Sequence, residues 1–232
     1  LLRSADSPVR PNGASQSRVR RDAAAGSGNR LYSIAPVDPH HPIEHLLRVA
    51  MSDQPNAGKA WDELKQQGTN ALPYLLTRLD SPNVLVRAKT EELIDHLGTN
   101  SIPALIAGID HAANDEIARL CCFFLARFDE KARAAIPHVL PLLNQNLTRP
   151  VAFYTLGHLR AREAFVPAMK VRSNERELIR MRATQALGRI GDKRAIPKLI
   201  SALGDEIYDV RYAAEDALVA FYRAFLAGHN SP

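Results

Sequence analysis

Apolar residues along most of this chain recur at the three- and four-residue spacing of one helical face. Two examples are Ile102, Leu105, Ile106 and Ile109, and later Ile196, Leu199, Ile200 and Leu203. This spacing predicts short amphipathic helices whose apolar side is buried against other helices. No stretch alternates apolar and polar residues with a period of two between turn residues, so we expect no β-strands.

An aliphatic residue followed by proline recurs through the chain at a nearly constant interval. The prolines are Pro73, Pro103, Pro137, Pro167 and Pro197, which lie 30, 34, 30 and 30 residues apart. Proline has φ fixed at about −65° and lacks a backbone N–H, so it fits the first turn of a helix and is disfavoured further along. Each of these prolines therefore predicts the start of a helix.

Arginines near the start of a second kind of helix provide an independent marker. They are Arg87, Arg119, Arg149, Arg182 and Arg211, at intervals of 32, 30, 33 and 29 residues. Longer helices are predicted between the prolines, for example over 84–97 and 178–190, with Gly98 and Gly191 at their C-terminal ends. Two markers that share a period of about 31 residues predict an all-α fold of two-helix repeats that stack on their neighbours.

The first 38 residues differ from the rest in composition and charge. They are rich in Ser, Gly, Ala, Pro and Arg, with six arginines against three aspartates. Such a segment buries too little apolar surface to offset the entropy of ordering, so we expect 1–38 to be a disordered basic tail. Most of the formal net charge of +5 lies in this tail, and the rest of the chain is nearly neutral.

The remaining chain divides into three predicted parts. A capping helix over 42–51 and a linker are expected within 39–56, and the repeat domain over 57–226, with Trp61 and Leu64 facing inward. A last helix over 207–226 has no following partner, and 227–232 is predicted to be a short tail. Capping elements of this kind shield the open ends of a stack of repeats.

The segments LGDEIYDVRYAAEDAL at 203–218 and MRATQALGRIG at 181–191 share a pattern of an arginine and regularly spaced small apolar residues. They resemble the short HEAT-like repeats first named from phycobilisome lyases. The resemblance covers 57–226 and implies a right-handed α–α superhelix of the armadillo and HEAT type, with about five and a half two-helix repeats. It is weaker in the third and fourth repeats, and Lys170 in the fourth predicts a short or irregular second helix.

In that family a loop aspartate and a helix arginine are expected to form a ladder between adjacent repeats. Asp205 with Arg211, and Asp80 with Arg87, fit this role. The resemblance therefore implies a structural ladder, in preference to ligand binding. Its predicted members are Asp80, Arg87, Arg119, Arg149, Arg182, Asp205 and Arg211.

One string has the form of a metal site. His41-Pro42-Ile43-Glu44-His45 matches the H-x-x-E-H pattern of inverted zinc peptidases, in which both histidines share one helical face. Pro42 predicts a helix start, which leaves His41 outside the helix as its cap. We therefore predict no metal, no cofactor and no catalytic residue.

Other enzyme signatures are missing from the sequence. HEAT-like di-iron hydroxylases use His-Glu dipeptides as ligands, and this sequence contains none. Cys121 and Cys122 lie in an apolar helical stretch, which predicts buried thiols in preference to redox chemistry. The chain is therefore predicted not to be an enzyme.

The surface remains as the candidate functional feature. In stacks of this kind the second helix of each repeat is expected to line a concave face, and its outward positions are Tyr74, Arg78, His138, Lys170, Lys198 and Ser201. This mixture predicts a non-catalytic scaffold or adaptor that binds a protein or peptide there. The alternatives are a nucleic-acid-binding cradle, because phosphates need clustered cations, and a bilin-lyase-type or other accessory enzyme subunit.

The sequence also bears on the compartment. No apolar run is long enough to span a bilayer. Two adjacent cysteines exclude a disulfide framework and favour a reducing compartment such as the cytoplasm. An exported protein whose signal peptide has been removed is the alternative, since the sequence begins at Leu1.

Overall fold

The protein is described by a computed structural model that covers residues 41–229, with side chains to residue 227. Every regular element in this range is helical, so the all-α prediction is confirmed. The predicted tail over 1–38 lies outside the described residues. The α-helices are α1 Pro42–Ala50, α2 Ala57–Gln66, α3 Leu72–Leu76, α4 Val84–Leu97, α5 Ile102–Asp110, α6 Asp115–Ala126, α7 Ile136–Val139, α8 Arg149–His158, α9 Phe165–Met169, α10 Glu177–Ile190, α11 Ile196–Ala202 and α12 Tyr208–His229.

Long and short helices alternate from α3 onward. We call α4, α6, α8, α10 and α12 the long helices, and α3, α5, α7, α9 and α11 the short helices. From α6 to α12 each long helix packs on the next, and the first helix, α1, packs on α2. No helix in the described range is long and apolar enough to cross a membrane.

The sequence signals for helix ends are realised as predicted, with small differences. Proline is the second residue of α3, α5, α7 and α11, and Pro167 is the third residue of α9, so all five lie in a first helical turn. Gly98 and Gly191 follow α4 and α10 with φ of +56° and +74°, a backbone region that glycine enters without a steric penalty. The expected tail at 227–232 is corrected, because α12 continues to His229.

The short helices of the third and fourth repeats are irregular or brief, and α3 in the first repeat also has only five residues. α9, just before Lys170, has only five residues, as expected. The short helix of the third repeat is also irregular, which the sequence did not predict. There α7 has four residues and continues as the 3₁₀ helix Leu140–Asn144, whose second residue, Pro141, has no N–H to donate to an α-helical bond.

The core of the long helices repeats with a strict period of 31 residues. One buried position of this period is occupied by Val86, Ile117, Thr148, Ile179 and Val210. The next position along holds Arg87, Ala118, Arg149, Arg180 and Arg211. Arg119 and Arg182 therefore lie out of register, and the predicted arginine marker is corrected at these two repeats.

Two glycines let the C-terminal long helices approach closely. A Cβ atom at Gly157 in α8 would lie 2.9 Å from the Cα of Ala186 in α10. One period later, a Cβ at Gly188 would lie 2.5 Å from the Cβ of Ala217 in α12. Real Cβ atoms do not approach this closely, so glycine at both positions sets the spacing between these helices.

A continuous apolar core runs between the helices. Trp61 and Leu64 are buried in it, as predicted, and so is Leu105. Ile200 was assigned to the core by its helical spacing, yet 56% of its surface is exposed. The reason is that α11 buries only Leu199, so the apolar face of this short helix is narrower than its sequence suggests.

Candidate functional site

Two of the six predicted partner-binding residues contact the N-terminal helix. The ring of Tyr74 stacks on His41 at a centroid distance of 5.1 Å. The Arg78 guanidinium donates to both carboxylate oxygens of the buried Glu44, with Nη1 2.9 Å from Oε1. Such a paired contact fixes α1 on α3. Tyr74 and Arg78 therefore make intramolecular contacts, and their predicted role in partner binding stays a prediction.

The other four predicted residues have different surroundings. His138 Nδ1 lies 2.8 Å from Asp110 Oδ1, and Lys170 is exposed. Lys198 Nζ donates to the carbonyl oxygen of Val171 at 2.5 Å. Lys198 and the exposed Ser201 line a groove of about 240 Å³ beside α11. The structure thus brings Lys198 and Ser201 together.

The H-x-x-E-H string serves as the start of α1. His41 is its N-cap, and its Nδ1 accepts a hydrogen bond from the Ile43 N–H at 3.3 Å. Glu44 is engaged by Arg78. Within residues 41–227 no three His, Cys, Asp or Glu side chains come close enough to hold a metal ion.

Both cysteines are buried free thiols in α6. Burial raises the pKa of the Cys122 thiol to about 12 and that of Cys121 further still. Since the thiolate is the nucleophilic form, neither side chain is poised for chemistry at neutral pH.

The ladder between repeats exists, but its pairing differs from the prediction. Asp205 accepts two hydrogen bonds from Arg180, with Oδ2 2.8 Å from Nε and Oδ1 2.7 Å from Nη2. One period earlier, Arg149 Nη1 lies 3.1 Å from Glu175 Oε2. Each arginine reaches from its long helix to the loop before the next one. The Arg180 guanidinium holds the pKa of Asp205 below its usual value.

Arg211, predicted as the partner of Asp205, binds the backbone instead. Its Nη1 donates to the carbonyl oxygens of Asp205 and Glu206 at 2.8 and 2.9 Å. The prediction paired the wrong arginine because it took the partner of Asp205 from the helix that follows the loop, whereas the true partner, Arg180, lies one period of 31 residues before Arg211.

The proposed Asp80–Arg87 pair is also corrected. Asp80 accepts a hydrogen bond from Asn114 Nδ2 at 2.7 Å. Arg87 lies 3.9 Å from Glu116, whose carboxylate is bound more closely by Arg119 at 2.6 Å. Arg182, the remaining predicted member, makes no ion pair with a loop carboxylate among residues 41–227.

The exposed face of the long helices carries a group of aromatic and basic residues. We call Phe123, Tyr154, His158, Arg182 and Arg189 the Tyr154 cluster. The rings of Phe123 and Tyr154 stack at 6.1 Å, and Tyr154 contacts the His158 ring at 4.5 Å. The Arg182 guanidinium lies over the Tyr154 ring, 4.5 Å from its centroid, which is a cation–π contact.

Three concavities meet at this cluster. The first, of about 360 Å³, is lined by Phe123, Tyr154, Leu178 and Arg182 among others. A second, of about 730 Å³, contains Tyr154, Arg182 and Arg189 and extends to α12. The third, of about 490 Å³, contains His158 and Arg189. Residues of the cluster therefore line three neighbouring concavities.

The two arginines of the cluster are not neutralised by the described residues. Arg182 donates to Gln185 at 3.0 Å, and Arg189 Nη1 is 3.5 Å from His158 Nδ1. Among residues 41–227 no carboxylate oxygen lies within 4.0 Å of either guanidinium. Burial, together with the charge of Arg189, lowers the pKa of Arg182.

His158 is the third titratable basic side chain of the cluster. Its Nδ1 is 2.8 Å from Asp129 Oδ1, while its buried Nε2 has no hydrogen-bond partner in the described part of the chain. Burial lowers the pKa of His158, so the imidazole is neutral at pH 7.

The sequence predictions missed the Tyr154 cluster because they assigned the binding surface to the short helices. A signal was present, since Phe123 and Tyr154 lie one period of 31 residues apart. An aromatic residue that recurs at an outward position of the repeat stacks on its counterpart along the surface.

One comparison with known proteins bears on the family. A family model described as HEAT repeats matches residues 144–219, which contain α8 to α11 and half of α12. No curated protein matches the chain. This match and the all-helical stack of the described residues support a HEAT-like repeat protein.

Proposed function

We propose that this chain is a non-catalytic scaffold or adaptor that binds a protein or peptide partner through its repeats. The observation that carries this proposal is the exposed apolar surface around the Tyr154 cluster, where 45% of Phe123 and 40% of Leu178 is accessible. Aromatic residues and arginine are the side chains most enriched at the energetic centres of protein interfaces. The surface therefore has the composition of a protein-binding site.

A nucleic-acid cradle fits this surface less well. Phosphate binding depends on many uncompensated lysines and arginines along a groove. Here Arg127 is held by Glu91 and Asp95 at 3.0 and 2.5 Å, and Arg160 by Glu130 at 3.1 Å. These carboxylates reduce the positive potential of two arginines that could otherwise bind phosphates, which disfavours a polyanion such as nucleic acid.

The groove that contains Lys198 and Ser201 stays a second candidate surface, with His138 and Lys170 as further predicted contacts. A cytoplasmic location remains a prediction, and the free thiols of Cys121 and Cys122 are compatible with it.

A capture experiment tests the proposal. The full chain is immobilised and the bound proteins are identified, side by side with Phe123→Ser, Leu178→Ser and the control Leu147→Ser. Leu147 is 65% exposed but lies outside the three concavities. We expect one set of partners to bind the wild type and Leu147→Ser and to be lost from the other two variants.

The same experiment distinguishes the rival function by its salt dependence. Contacts of mainly apolar character should survive a rise from about 50 to 200 mM salt, whereas phosphate contacts weaken steeply. Binding to duplex DNA that disappears over this range, with no protein captured, would contradict the scaffold proposal.

A further inference from the structure

We propose that the Tyr154 cluster recognises a short acidic segment of the partner, in which a carboxylate is followed or preceded by a large apolar side chain. The carboxylate would lie against Arg182 and Arg189, and the apolar side chain against Phe123 and Leu178. This inference rests on the proposed function, since it names the kind of peptide segment that the protein-binding surface would recognise.

The charge of the cluster points to a carboxylate. Arg182 is half-buried and stacked on Tyr154, and no carboxylate in the described chain neutralises it. Arg189 adds a second positive charge nearby. Asp216 lines the same concavity but lies more than 4.0 Å from both guanidinium groups. A desolvated cation without a counter-ion is unfavourable, so a carboxylate from a ligand would be bound with a net electrostatic gain.

The donors of Arg182 are suited to this ligand. A guanidinium has five N–H groups, and the hydrogen bond to Gln185 uses one of them. Stacking on the Tyr154 ring occupies a face of the guanidinium and leaves N–H groups at its edge for an acceptor. Arginine binds a carboxylate through two parallel hydrogen bonds, which adds orientation to attraction.

The apolar side chains around Arg182 indicate that the ligand carries an apolar side chain besides its carboxylate. Phe123 and Leu178 line the same concavity of about 360 Å³, and both are exposed. An exposed aromatic and a leucine beside an unneutralised arginine resemble the centre of an interface, where apolar burial supplies affinity. A carboxylate alone would leave these two side chains in water, whereas an acidic and apolar segment would cover them.

Peptide binding by the full chain tests the inference directly. Labelled synthetic peptides, each with one leucine or phenylalanine flanked by glutamates, are titrated with the protein and compared with peptides that carry glutamine instead. We expect the glutamate peptides to bind at least about tenfold more tightly than the glutamine peptides. Arg182→Gln and Arg189→Gln should remove most of this preference.

The matched control is Arg172→Gln, which removes one exposed arginine beside α11. It should keep the preference for glutamate. Loss of binding in Arg172→Gln, with none in Arg182→Gln, would overturn the inference in favour of the Lys198 groove. Thermal unfolding of each variant shows whether a loss reflects unfolding.

A charge reversal keeps the test decisive if a glutamine variant is unstable. Arg182→Glu should bind the same peptides with lysine in place of glutamate more tightly than the wild type does. If no acidic peptide binds, or if duplex DNA displaces those that do, the inference fails. The capture experiment with Phe123→Ser and Leu178→Ser is independent of this result, so the two proposals can fail separately.

Discussion

The long and the short helices alternate along the chain but differ in length and in how they pack. From α6 onward the long helices pack on one another, and from α8 they are close enough that only glycine fits at Gly157 and Gly188. The short helices begin with prolines, and three of them, α3, α7 and α9, have five residues or fewer. From α6 onward the packing between repeats is thus carried by the long helices, whereas nearer the N-terminus the short helices α3, α5 and α7 pack on one another.

This difference bears on function as well as on stability. The exposed aromatic residues and the unneutralised arginines of the Tyr154 cluster lie on the closely packed long helices. A binding surface on well-packed elements keeps its geometry before the partner arrives, which reduces the entropy lost on binding. The smaller Lys198 groove lies between the short helix α11 and the long helix α10.

The largest expected effect tests whether the long helices hold the core. Phe153 in α8 is completely buried. Phe153→Ala should lower the free energy of unfolding by about 3–5 kcal/mol, since it leaves a cavity between packed helices. Val84→Ala, at an 81% exposed site of α4, is the control and should be nearly neutral in denaturant unfolding. Similar losses in both variants would contradict the assignment of the core.

The next effect concerns the ladder between repeats. Asp205→Asn should cost about 2–3 kcal/mol at pH 7, because Arg180 loses a charged partner at a nearly buried site. Glu215→Gln, an exposed site on α12, serves as the control. The folded pKa of Asp205 is below its unfolded value, so the contribution of the pair is complete above the unfolded pKa of about 3.9 and is lost as the pH falls through the folded pKa. The stabilities of wild type and Asp205→Asn should therefore converge in acid.

A smaller effect measures the spacing of the long helices. Gly157→Ala should destabilise the protein by about 1–2 kcal/mol, because its Cβ would meet the backbone of Ala186. Gly58→Ala in α2 is the matched substitution, since its Cβ would have no neighbour within 4 Å. There alanine should stabilise by about 0.5–1 kcal/mol through its helix propensity. Thermal unfolding that moves in the same direction for both would argue against close packing.

The smallest effect is expected on a short helix. Ile200→Ala should change the free energy of unfolding by less than about 0.5 kcal/mol, as expected for an exposed site. A loss of several kcal/mol would show that α11 buries this side chain and that the short helices contribute more to the core than their length suggests.

Much of the fold could be predicted from the sequence because its signals are local. The bounds of α4 follow from apolar spacing between Asn83 and Gly98, which cap its two ends. The irregular third repeat was harder to foresee, because the effect of Pro141 depends on the helix that precedes it. Ile200 was misplaced because helical spacing alone does not say how wide a buried face is.

Less of the candidate site could be predicted, because its contacts join residues from different repeats. Arg180 and Arg182 are the same residue type, two positions apart. Only the 31-residue register distinguishes Arg180, which pairs with Asp205, from Arg182, which stacks on Tyr154. Burial of Arg182 without a counter-ion is a property of the packed helices, which the residue types alone do not reveal. The recurrence of Phe123 and Tyr154 at one period was the available signal.

The strict register makes one period an interchangeable unit of this protein. Removing the 31 residues 150–180 would join Arg149 to Met181 in one helix and bring Arg149 to the place of Arg180, opposite Asp205. Gly157 would leave with that segment, but Gly188 would still face Ala217. A chain of this design can gain or lose a repeat by duplication or deletion and keep the same contacts across the new junction, so the length of its surface can change without a new fold.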